Sequence, residues 1–89
     1  MINYYQKGVD LRIQIKELVF LYMTSNPNCA KNEVGLRTTD IFRDCGLDWG
    51  DYENVPSTRQ QHYVVALLRE LESEGKIQRD EITKKWRLK

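Results

Sequence analysis

The chain has 89 residues, of which 40% are hydrophobic and 30% charged. That supports one small core, with roughly 60–70% of the unfolded surface buried on folding, and leaves no room for a second. Disordered and collagen-like compositions are excluded. The formal net charge of +1 hides an asymmetry: residues 1–75 carry eight Lys/Arg against eleven Asp/Glu, and residues 76–89 carry six against two. A basic end on an otherwise acidic chain suits a local contact with a polyanion, or equally a charged edge that keeps a strand from pairing with other chains.

The longest apolar run, Leu18 to Met23, is too short to span a bilayer. The first residues, Met1-Ile2-Asn3-Tyr4-Tyr5-Gln6-Lys7, lack the basic start and apolar stretch of a signal peptide. Cys29 and Cys45 do not make a disulfide framework, so a reducing, cytoplasmic setting is expected.

In chain order, residues 1–9 read as an amino-terminal arm, with Ile2, Tyr4 and Tyr5 set to pack on something, and residues 10–89 as the domain. Asp10 is a good N-cap, and Leu11, Ile15, Leu18, Val19, Tyr22 and Met23 recur at helical spacing until Asn26-Pro27 stops them. Phe20 and Leu21 widen the stripe, as in a central helix or half of a dimer contact. Val34 and Leu36 alternate as in a short strand. Thr38-Thr39-Asp40 offers caps for a brief helix, Ile41 to Cys45, that Gly46 can end in a left-handed conformation. Leu47 to Val55 reads as a loop, acidic through Asp48, Asp51 and Glu53 and aromatic through Trp49 and Tyr52.

Ser57 and Gln60 have capping-box spacing. The helix they open, residues 57–74, keeps Val64, Leu67, Leu68 and Leu71 on one stripe and closes at Gly75. The period then becomes two. Ile77 and Arg79 share one parity and Trp86 and Leu88 another, giving a hairpin with Ile77, Trp86 and Leu88 toward the core. Its tip, Asp80-Glu81-Ile82-Thr83, has no Gly or Asn for a tight primed turn, so its register stays open.

The sum is an α+β domain of three helices and a C-terminal two-stranded hairpin. Thr38-Thr39-Asp40-Ile41, the stretch Arg59 to Asp80 with its Leu71-Glu72-Ser73-Glu74-Gly75-Lys76-Ile77 exit, and Trp86-Arg87-Leu88 together resemble the winged helix-turn-helix superfamily over roughly residues 10–89. Two features depart from that pattern. Gly46 to Val55 is ten residues where such a turn has about 3–4, and it is acidic. The Z-form DNA readers of the superfamily are set aside, because residues 57–74 contain no Asn and the hairpin no Pro.

The resemblance implies non-catalytic binding of double-stranded DNA, as a transcriptional regulator or an accessory DNA-binding subunit, with helix 57–74 in the major groove and wing 76–89 on the backbone. Arg can donate twice to guanine and Gln twice to adenine, while Ser and Thr hydroxyls reach phosphate. The candidate contacts are therefore Ser57, Thr58, Arg59, Gln61 and His62 on the helix, and Arg79, Lys84, Lys85 and Arg87 on the wing. The bland alternatives are a mere capping box at Ser57 and Gln60 and a solubilising edge on the wing.

A competing reading is a winged-helix protein-interaction module that uses loop 47–55 and the first helix. A homodimer would draw on Ile2, Tyr4, Tyr5 and Phe20. No enzyme, cofactor or metal is expected. His62 is the only histidine, the cysteines are not in a CxxC, Asp48, Asp51 and Glu53 lack the order of a calcium loop, and no glycine-rich phosphate loop is present. Cys45 reads as a small buried residue beside a helix end.

Overall fold

The computed structural model describes residues 1–48 and 62–89. Ser57, Thr58, Arg59, Gln60 and Gln61, the capping box among them, and Trp49, Asp51, Tyr52 and Glu53 of the acidic loop lie outside the described residues.

Helix α1 spans Tyr4–Ser25. It begins earlier than the apolar spacing predicts, because Asn3 and not Asp10 is its N-cap: the Asn3 side chain accepts from the Gln6 amide at 3.0 Å. Asp10 instead sits inside the helix and accepts from Gln6 Nε2. Residues 4–9 are therefore helical, and Ile2, Tyr4 and Tyr5 are exposed rather than packed. A 3-10 turn, Pro27–Cys29, follows, with Asn26 capping it through Asn28 N.

Helix α2, Thr38–Asp44, starts ahead of the expected Ile41. Its N-cap is Arg37, which makes no side-chain capping bond, so Thr38, Thr39 and Asp40 form its first turn rather than its caps. Gly46 after it is left-handed (φ +70°), as expected. The described part of the next helix, α3, is His62–Ser73, and Gly75 beyond it is again left-handed (φ +76°). Strands β1, Ile77–Arg79, and β2, Trp86–Leu88, pair antiparallel with Ile77 opposite Leu88 and Arg79 opposite Trp86. The described residues thus form a small α+β domain of three helices and a C-terminal two-stranded hairpin.

The core gathers Val19 and Met23 of α1, Cys29, Ile41 and Phe42 of α2, Val64, Leu67, Leu68 and Leu71 of α3, and Ile77 and Trp86 of the hairpin. Leu18 belongs to the same periodic set in the sequence but is 44% exposed. The stripe of α1 is wider than the surface its neighbours cover, and Val19 and Met23 take the inward positions. Phe20 packs against this core, with the Lys76 ammonium 5.3 Å from its ring centroid. Burial pushes the Cys29 and Cys45 thiols up to about 11, with Asp44 adding to the effect at Cys45, so both stay protonated at neutral pH. Among the described residues no helix is long and apolar enough to cross a membrane.

Candidate nucleic-acid interface

Trp86 fixes the hairpin to the body. Its backbone forms an isolated bridge with Leu36, donating to the Leu36 carbonyl at 2.7 Å and accepting from the Leu36 amide at 2.9 Å. Leu36 alone therefore realises the strand expected at Val34 and Leu36; Val34 is exposed. The indole Nε1–H donates to Thr38 Oγ1 at 3.0 Å, which ties β2 to the start of α2. Gly35 lets the two backbones approach. It has φ +85°, and a Cβ there would lie 2.6 Å from the Trp86 carbonyl oxygen.

Two guanidinium groups converge on the Trp86 ring. Arg69 of α3 lies 5.2 Å and Arg79 of β1 lies 5.5 Å from its centroid, both within cation–π range. Arg69 also donates to Glu72 at 2.9 Å. Arg79 Nε is buried with no hydrogen-bond partner, an uncommon state for a guanidinium nitrogen. Sequence reasoning missed Arg69, because helical spacing alone does not say which flank of α3 meets the hairpin. No spacing in the sequence marks it, because the ring it meets, Trp86, comes from the far strand of the hairpin.

The hairpin tip is ordered by a carboxylate where no glycine or asparagine is available. Asp80 Oδ1 accepts from the amides of Ile82 (2.8 Å) and Thr83 (2.9 Å), and its Oδ2 accepts from Arg87 at 3.3 Å. Lys84 completes the reversal in the left-handed region (φ +64°), with its amide on the Asp80 carbonyl. The Thr83 and Ile82 amides, with Arg87 beside them, hold the Asp80 carboxyl below its usual range.

The predicted contact residues therefore divide. Lys84 stands exposed at the tip, loosely paired with Glu81 at 3.9 Å. Lys85 and Arg79 have no salt-bridge partner among the described residues, whereas Arg87 is tied to Asp80. Arg79 shares the parity of Trp86, and Arg87 pairs with Gln78 on the other, so the wing cations do not share one face. His62 is exposed at the start of the described part of α3. Among the described residues no three His, Cys, Asp or Glu side chains cluster as metal ligands. Compared with protein-family models, curated proteins and solved structures, the chain matches none.

Proposed function

We propose that this chain is a winged-helix domain that binds double-stranded DNA without catalysis, as a transcriptional regulator or accessory DNA-binding subunit. The observation that carries the reading is the paired placement of Arg69 and Arg79 on the Trp86 ring, where α3 meets the hairpin, with Arg79 free of any carboxylate among the described residues. A cation held on an indole keeps its charge and gives up less side-chain freedom on meeting a phosphate than a free surface lysine does. Lys84 and Lys85 extend this cationic edge along the hairpin, and the Asp80 turn supports it.

In this reading α3 lies in the major groove and the hairpin follows the backbone. Ser57, Thr58, Arg59, Gln61 and His62, on the helix that the sequence predicts over residues 57–74, address bases and phosphates, and Arg79, Lys84, Lys85 and Arg87 address phosphates from the wing. Arg69 joins the phosphate contacts. Glu72 and Asp80 hold Arg69 and Arg87 in place until phosphate competes for them.

Fluorescence titration of a labelled mixed-sequence duplex at two salt concentrations tests the proposal. Binding should weaken with salt by a log–log slope of about −0.9 for each phosphate contacted. Arg79→Ala should weaken binding to every duplex alike, and Arg59→Ala should cost about 1–3 kcal/mol at a preferred site and relax its specificity. Binding that ignores salt, or an Arg79→Ala protein that binds as the parent does, would remove the reading.

A further inference from the structure

Two cations of the proposed interface stand on a residue that cannot itself reach a duplex. Arg69 and Arg79 lie over the Trp86 ring, with guanidinium carbons 5.2 and 5.5 Å from its centroid. Trp86 is 1% exposed, so it decides where these charges stand and touches no partner. Arg79 depends on the ring most. It has no salt-bridge partner among the described residues, and its Nε is buried without a hydrogen bond. Arg69 has Glu72 as well, at 2.9 Å.

The setting of the ring comes from outside α3 and the hairpin. Main-chain bonds to Leu36, at 2.7 and 2.9 Å, fix the backbone of Trp86 but not its side-chain torsions. An indole has one polar atom, the Nε1–H, which needs an acceptor once the ring is buried. That acceptor is Thr38 Oγ1, 3.0 Å away and 48 positions distant in the sequence. Thr38 stands in the first turn of α2, yet its hydroxyl does not serve that helix. The N-cap is Arg37, and no side chain makes the capping bond.

We infer that Thr38 is a positioning residue of the DNA contact: through the indole it holds the Arg69 and Arg79 guanidinium groups where phosphate meets them. The inference rests on the proposed DNA reading. A loose arginine gives up side-chain freedom when it binds phosphate, and the ring removes part of that freedom beforehand. Without the Thr38 hydroxyl, the indole N–H is buried and unpaired, which favours ring positions that bring it to water. The guanidinium groups then lose their platform, while the number of cations stays the same.

Thr38→Val removes the acceptor at similar size, and Thr38→Ser restores it. Two measurements on the full chain separate positioning from stability, both at a temperature where unfolding curves show every variant folded. The first is nuclear magnetic resonance of the free protein, where arginine side-chain protons over an aromatic face resonate upfield. Thr38→Val should lose that shift at Arg79, and Thr38→Ser should keep it. The second is titration of a mixed-sequence duplex at several salt concentrations. Thr38→Val should bind about two- to ten-fold more weakly at every salt, the cost of ordering a freed side chain. Its log–log salt slope should equal the parent's, because no phosphate contact is deleted, whereas Arg79→Ala should lose about one unit of slope. Thr38→Ser should bind as the parent does. A Thr38→Val protein of parental affinity overturns the inference and leaves the DNA reading standing. So does one that binds weakly with parental arginine signals, since Thr38 would then touch the duplex itself. A parent that binds no duplex at low salt overturns the DNA reading, and the positioning role falls with it.

Discussion

Helix α3 has two unlike flanks. On one, Arg69 reaches the Trp86 ring beside Arg79, and the surface is cationic and pinned through Thr38 and Leu36. On the other, Glu70 and Glu74 both hold the Lys16 ammonium, at 3.0 and 2.8 Å, and beyond them lies the apolar groove against α1. Each flank takes its charge from a neighbour of opposite kind: the hairpin brings cations to an indole, and α1 brings one lysine to two carboxylates. One helix can thus separate a cationic edge from an apolar groove, and the hydrophobic stripe between them, Val64, Leu67, Leu68 and Leu71, is what holds that orientation.

The largest expected effect comes from removing the support of the cationic flank. Trp86→Ala should cost about 3–5 kcal/mol in denaturant unfolding, since a fully buried indole leaves a cavity. Leu68→Ala should follow at about 2–5 kcal/mol. Leu18→Ala, on α1 and 44% exposed, should cost clearly less than Leu68→Ala. Equal losses at Leu18 and Leu68 would contradict the difference in burial between them. Gly35→Ala should cost about 1–3 kcal/mol and loosen the hairpin, because both the left-handed backbone and the 2.6 Å approach to the Trp86 carbonyl oppose a methyl group. Loss of amide exchange protection at Leu36 and Trp86 would report it.

The smallest effect is the acid response of the hairpin tip. Asp80 is held below its ordinary value near 3.8, so its contribution is present above that value and is lost only as pH falls through the lower folded value. The Ile82 and Thr83 amides should keep their exchange protection through pH 3.8 and lose it below. In Asp80→Ala the protection should be weak at every pH. Protection in the parent that fades well above pH 3.8 would contradict the Asp80 turn.

Much of the fold was legible in the sequence because the period of the apolar residues changes where the structure changes. The stripe Val64, Leu67, Leu68, Leu71 and the alternation around Ile77, Trp86 and Leu88 place the last helix and the hairpin, and Gly46 and Gly75 mark helix ends by the left-handed backbone they adopt. The start of α1 was not legible. Residues 4–9 show no apolar period, and two good caps, Asn3 and Asp10, compete in the sequence; the earlier one acts. Leu18 shows a second limit, since periodicity names a stripe but not how much of it a neighbour covers.

The candidate site was legible only as composition. A run of cations in residues 76–89 suits a polyanion contact or a protected strand edge equally, and their distribution over two faces follows from the strand register, which the turn chemistry of Asp80 and Lys84 sets. Arg69 was invisible because its role depends on a residue seventeen positions away, Trp86, reaching back across the domain.

Salt dependence of duplex binding by the parent and by the Lys84→Ala/Lys85→Ala double variant tests the assignment of the cationic flank most directly. Plotted as log affinity against log salt, the parent should fall steeply, and the double variant should lose about two units of slope while keeping its preference among sequences. Equal slopes for the two proteins, or no duplex binding by the parent at low salt, would contradict a DNA contact through the hairpin.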